Sequence, residues 1–164
     1  MIEPGPANRY QVVHAERLRR TFHALTGCDL IDQTLAPEAA AEALFHAPFV
    51  VLSHNADPDP ILTYSNRTGL ELFELSWEEL TRMPSRLTAE TPDRAERARL
   101  LAEVAARGFI EDYSGVRVSR TGKRFRIEQA TVWNLTDERG RFYGQAATFR
   151  EWRALADAAL APSR

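Results

Sequence analysis

Residues Tyr113 to Phe149 read YSGVRVSRTGKRFRIEQATVWNLTDERGRFYGQAATF. Within this stretch, Tyr113 to Ser119, Arg124 to Leu135 and Phe142 to Phe149 alternate in polarity or concentrate β-branched and aromatic side chains, as strands do. Arg120-Thr121-Gly122 and Thr136-Asp137-Glu138-Arg139-Gly140 separate them with turn formers. The stretch therefore predicts three successive antiparallel strands, half a sheet in one run.

Working outward, the period changes from two to that of a helix. Thr91-Pro92-Asp93 supplies an N-cap, a first-turn proline and an early acid, and Leu100, Leu101 and Val104 follow until Gly108 ends a long helix. Upstream, Asn66 can cap a helix at about 67–73, and Ser76 with Glu79 has the capping-box spacing for another at 77–82. Phe49 to Leu52 and Ile61 to Tyr64 read as strands around the turn-rich Asn55-Ala56-Asp57-Pro58-Asp59-Pro60, which makes a hairpin. Before them, Pro37 opens an Ala-rich helix that Pro48 stops. From Arg9 to about Thr26, Tyr10, Val13, Leu18, Phe22 and Leu25 recur at helical intervals, and Gly27 closes the run. Trp152 to Leu160 suits a final short helix. The sum is an α+β domain: one five-stranded antiparallel sheet packs helices on one face, and a sheet curled around helices can leave a cavity. Residues 1–47 form an N-terminal helical extension, 48–150 the core, and 151–164 a short helix and tail.

The 164 residues, 44% hydrophobic and 27% charged, are enough for one self-sufficient core. A net charge of -2 gives no general attraction to nucleic acid or anionic lipid. Cys28 is the single cysteine, which excludes an internal disulfide and fits a reducing compartment. No apolar run approaches the ~18 residues of a membrane span, and the N-terminus lacks the pattern of a secretory signal. The expectation is a cytoplasmic, soluble domain with neither nucleic acid nor membrane as partner.

The order of elements, with PILTYSNRTGLELFELSWEEL and the closing YGQAATF, resembles a PAS domain, a sensor module whose sheet cups short helices around a ligand or a packed core. More closely, LTYSNRTGLELFELSWEELTRMPSRLTAE together with GFIEDYSGVRVSRTGKRFRIEQATVWNLTDERGRFYGQAATF looks like the MEKHLA family. That PAS-like domain occurs alone and at the C-terminus of plant class III homeodomain-leucine-zipper proteins. The hexapeptide naming the family is missing, and no homeodomain or zipper precedes the domain in this sequence, so DNA regulation is not carried over. The resemblance implies a PAS-like sensory or regulatory module, with no established reaction or cofactor.

Each chemistry can be weighed against the residues. Where flavin-binding PAS photosensors have GxNCRFLQ, this chain reads Arg82-Met83-Pro84-Ser85-Arg86-Leu87; a serine hydroxyl lacks the thiol's acidity, which disfavours covalent flavin chemistry. Arg86 either holds a phosphate of a non-covalent flavin or another small molecule, or pairs with a nearby acid. Haem is disfavoured because His14, His23, His46 and His54 all precede the second strand, and Met83 reads as core filler. His46, His54, Asp57 and Asp59 lack metal-ligand spacing. In the basic hairpin Arg117, Arg120, Lys123, Arg124 and Arg126, Arg124 and Arg126 share parity with Glu128, opposite to Phe125 and Ile127, and fit a solvated sheet face with mixed charge. A cone-shaped acid-base enzyme is the rival reading, with Glu111, Asp112 and Tyr113 inside the cone.

Strict alternation places Phe125, Ile127, Gln129, Thr131 and Trp133 toward the helices. Gln129 and Thr131 then need partners among apolar neighbours, from Gln145, from water or from a ligand. The candidate ligand-binding residues are accordingly Asn66, Arg86, Tyr113, Gln129, Trp133 and Gln145; Asn66 also reads as a cap, and the aromatics as core. A ligandless interaction or dimerisation module is the alternative. A protein partner is expected, and the N-terminal helix packs either on the outer sheet face or on its twin in a homodimer.

Overall fold

In the computed structural model, which describes residues 2–156, the three-strand run folds as read and is joined by the hairpin before it. The elements in chain order are α1 (Val12–Thr26), α2 (Pro37–Phe45), β1 (Val50–Asn55), β2 (Leu62–Ser65), α3 (Arg67–Phe73), α4 (Trp77–Leu80), α5 (Thr91–Arg107), β3 (Phe109–Val118), β4 (Arg124–Thr136), β5 (Phe142–Phe149) and β6 (Glu151–Ala154). Short 3-10 segments occupy Pro6–Gln11 and Ser85–Thr88. The antiparallel sheet runs β2-β1-β5-β4-β3, with β6 paired to β4.

Three expectations need correction. The sheet has six strands: Trp152 lies in β6, opposite Ile127. The helix expected over Trp152 to Leu160 is thus a strand at its start, and positions from 157 onward lie outside the described residues. The first helix starts at Val12, because Arg9, Tyr10 and Gln11 all take left-handed backbone angles, with φ of 54, 55 and 50°. That turn buries the Tyr10 ring against Phe45 and His46.

The third correction decides the site. Alternation along β4 breaks at Gln129, whose φ is 51°, and on β3 at Asp112, whose φ is 59°. Ile110 pairs with Val132, Tyr113 with Ala130 and Gly115 with Ile127, so each strand carries one extra residue and the two bulges cancel. Beyond the bulge, the opposite parity of β4 faces inward. Phe125 and Ile127 face the inner helices before it; Val132 does so after it, against Leu100 and Val104 of α5.

Trp133 consequently points outward. Its indole N–H donates to Thr21 Oγ1 at 2.9 Å, and its ring meets Phe22 edge-on with centroids 5.0 Å apart. Alpha-helix α1 thus covers the outer sheet face with Leu18 and Phe22, and His14 bonds Ser53 of β1 at 2.9 Å. The inner face is left to α3, α5 and the Ser85–Thr88 segment.

Candidate functional site

Between the inner sheet face and these segments lies a cavity of about 50 Å³. Its apolar lining includes Leu52, Leu62, Phe73, Leu100, Leu101, Ile127, Val132 and Phe149, and its polar edge is made by His54, Thr88, Arg97, Tyr113, Arg117 and Gln145. Strand register explains the convergence: His54 on β1 stands opposite Gln145 on β5, which stands opposite Asn134 on β4.

Gln145 holds the wall together. Its Nε2 donates to Leu101 O of α5 at 2.9 Å and to Asn134 Oδ1 at 3.1 Å. Asn134 in turn donates to Ala105 O at 3.3 Å. These bonds hold a helix that buries only Leu100 and Val104 among its 17 residues.

Tyr113 donates its hydroxyl to Glu96 and accepts from Arg117 Nη2 at 3.2 Å. Burial pushes the Tyr113 phenol up, against the pull of Arg117. His54 Nδ1 lies 2.8 Å from Asn55 O, while its Nε2 is buried without a hydrogen-bond partner among the described residues. Burial first, opposed by that bond and assisted by Arg97, pulls the His54 imidazole below its ordinary value.

Of the six residues singled out by sequence, Tyr113 and Gln145 line this cavity. The other four lie elsewhere. Asn66 is fully buried as the cap of α3: Oδ1 accepts from Gly69 N at 3.2 Å and Val51 N at 3.1 Å, and Nδ2 donates to Leu44 O and Phe49 O at 3.2 and 2.7 Å. Arg86 forks onto Asp59 at 3.2 and 3.4 Å on the surface. Gln129 is exposed at the bulge and lines a different, outer cavity of about 190 Å³ with Phe49, Thr148 and Arg150. Trp133 is core beneath α1. Placing Gln129 and Trp133 inside was an error of parity, caused by the bulge.

Sequence reasoning missed His54, Arg97 and Arg117. Arg117, named in the sequence only as part of the basic hairpin, is 7% exposed; its partner Phe125 on β4 shares its face, which is the signal that identifies it as inward. Arg120, Lys123, Arg124 and Arg126 do pair with acids at the surface, on Glu79, Glu74, Glu90 and Glu128. Glu111 and Asp112 are exposed on β3, not inside a cone.

An isoalloxazine or porphyrin ring enters this cup only if its walls move apart. A cavity of ~150 Å³ is filled by benzene alone, three times the space here. Arg86 is turned away onto Asp59, and Ser85, fully buried, has its Oγ unpartnered among the described residues. No group of three or more His, Cys, Asp or Glu among the described residues can hold a metal ion. No helix among them is long and apolar enough to cross a membrane.

Comparison with known proteins agrees with this geometry. Residues 12–154 match the family model of the MEKHLA domain. The homeobox-leucine zipper protein ATHB-14 of Arabidopsis thaliana is 24% identical over 139 residues, covering 82% of this chain and 16% of the relative. HOX29 of Oryza sativa, also a homeobox-leucine zipper protein, is 24% identical over 110 residues, covering 67% and 13%. The chain thus spans between about an eighth and a sixth of the length of these relatives. Among solved structures, the PAS domain of a Colwellia psychrerythraea protein aligns with a TM-score of 0.60 at 14% identity, over 72% of this chain and 95% of that one. An RNA-binding light-oxygen-voltage receptor aligns at 0.55 and 17% identity, over 73% of this chain and 34% of that one. At these identities the structural likeness establishes the fold.

Proposed function

The chain belongs to the MEKHLA domain family, and from that premise we propose that this PAS-like sensory domain works by binding a small molecule in the cup between sheet and helices, without chemical turnover. The observation that carries the reading is the cup itself. It is a mostly apolar cavity with a few convergent polar groups, the composition small-molecule recognition needs. Its helical wall is α5, held to the sheet by Leu100, Val104 and the Gln145 and Asn134 bonds. Occupancy of the cup sets the position of α5, and a docking protein reads that position.

The absence of turnover is supported by the placement of the acids. Glu111 and Asp112, the acid-base candidates, lie on the outside of β3, and Tyr113 is engaged by Glu96 and Arg117. Its cytoplasmic location and a protein partner are part of the same proposal.

The test is to purify the protein untagged, denature it and identify released molecules by mass. A small molecule in near-stoichiometric amount supports the reading. If empty protein is recovered and its folded state binds nothing from a panel of small metabolites, the ligandless interaction module takes its place.

A further inference from the structure

Two guanidinium groups, one on β3 and one on α5, line the same small cavity. Arg117 gives hydrogen bonds to Val116 O at 2.8 Å and to the Tyr113 hydroxyl at 3.2 Å, both neutral acceptors. Arg97 has neither a hydrogen bond nor an ion pair among the described residues. Burial and the neighbouring Arg117 pull the Arg97 guanidinium down to about 10. The carboxylate in the neighbourhood, Glu96, is exposed and accepts from Tyr113 at 3.1 and 3.2 Å, which offsets one of the two charges. A positive excess therefore faces the cavity, in a protein whose surface arginines are otherwise widely matched to acids.

Buried or half-buried charges are costly without a counter-charge, and guanidinium is the side chain that fits a planar carboxylate. His54 Nδ1 gives its hydrogen to Asn55 O, so the unpartnered Nε2 at the same cavity is an acceptor, suited to an arginine N–H or a water beside the carboxylate and not to the carboxylate itself. Most of the remaining lining is aliphatic or phenylalanine, with Thr88, Tyr113 and Gln145 at the polar edge, which favours an anion carrying an apolar tail over a bare inorganic one. The volume, about 50 Å³, is about a third of what benzene fills, so a carboxylate of about four to six heavy atoms enters as α5 moves outward, the displacement the sensing reading requires.

We infer that the cup takes a short-chain carboxylate, its head between Arg97 and Arg117 and its tail against Leu52, Leu62 and Leu100. The inference rests on the reading of the cup as a ligand site and names the class of ligand.

Titration calorimetry of the full chain at pH 7 tests it, with acetate, propionate and isobutyrate as probes and isobutyramide and sulfate as controls. At least one carboxylate binds with a Kd below about 1 mM, the range open to so few atoms. Isobutyramide and sulfate bind at least tenfold more weakly. Arg97→Gln, on the half-exposed face of α5, weakens the acid at least tenfold while circular dichroism shows an unchanged fold; Arg97→Lys recovers part of the loss. Equal binding of amide and acid, equal binding of sulfate, or an Arg97→Gln variant with unchanged affinity overturns the anion inference. If no carboxylate binds but denatured protein releases a neutral molecule, the anion inference falls and the sensing reading stands. If no probe binds and nothing is released, both fall.

Discussion

Asn66 and Arg86 were singled out by the same sequence reading, and their surroundings give them opposite weights. All four hydrogen-bonding positions of the Asn66 amide are used inside the protein, joining α2, β1 and α3. Asn66→Asp turns a donor into an acceptor facing two buried carbonyls. It should cost about 3 kcal/mol or more in urea unfolding, from two unsatisfied groups. Arg86→Ala breaks one exposed pair with Asp59 and should change stability by less than about 1 kcal/mol. Equal losses in the two variants would refute this assignment of roles. His14 supplies a pH dependence. Burial, assisted by Arg17, pulls its imidazole down to about 4 from 6.5; around it stand Ser53, Tyr64 and Tyr143. The unfolded chain then binds the proton first as pH falls, so stability rises with pH and is lost from pH 6.5 down to about 4, by about 3 kcal/mol. Glu74 acts lower: the hydroxyls of Thr121 and Ser119 and the ammonium of Lys123 hold its carboxyl down to about 2, so its contribution is full above 4.5 and fades toward that value. His14→Gln should make the fall of the melting temperature between pH 6.5 and 4.5 shallower, His54 keeping part of it, and leave the steeper loss below it; a slope unchanged by the substitution would contradict the assignment. The cap role of Asn66 was legible in the sequence because its signal is local. The inward turn of Arg97, Arg117 and His54 was not, because it depends on which face of a sheet and which side of α5 the tertiary fold covers.

At the scale of elements, boundaries marked by local chemistry were legible: Gly108 ends α5, which starts one residue earlier than the cap reading because Thr91 is its first helical residue and Glu90 its N-cap, and turn residues delimit β5 at Phe142–Phe149. The paired bulges at Asp112 and Gln129 were not, since neither position is a glycine that marks positive φ. They are set by how β3 and β4 accommodate each other, a non-local event. The same holds for β6, where pairing to Phe125–Glu128 overrides the helical reading of Trp152. Gly144 is the element-scale counterpart that can be tested. Its φ is 156° and an added Cβ would lie 2.0 Å from His54 O, so β1 and β5 approach there as only glycine permits. Gly144→Ala should lower stability by roughly 2–4 kcal/mol and shift the His54 side of the cup. A melting temperature within a degree of the parent protein would show that the strands separate without cost. On the outer face, Trp133→Phe removes the bond to Thr21 and should cost about 1 kcal/mol. Most of that loss should vanish in a Thr21→Val background if the bond is the cause.

The whole molecule divides its sheet between two tasks. The outer face is largely covered by α1, whose Leu18 and Phe22 are buried there beside the cavity that Gln129 lines. The inner face keeps a cavity and a wall, α5, that buries two residues and otherwise leans on polar bonds. A wall fixed by few apolar contacts is the part whose position a ligand can bias. Ligand should therefore slow hydrogen exchange in α5 more than in α1; uniform protection, or protection of α1 alone, would contradict that division. The central claim is most directly met by amide NMR shifts of the labelled protein titrated with acetate, propionate and isobutyrate. The account predicts saturable shifts with at least one of them, clustered at His54, Arg97, Tyr113, Arg117 and Gln145, with Trp133 and α1 unmoved. Shifts confined to the outer face, or none with any of the three, would contradict it.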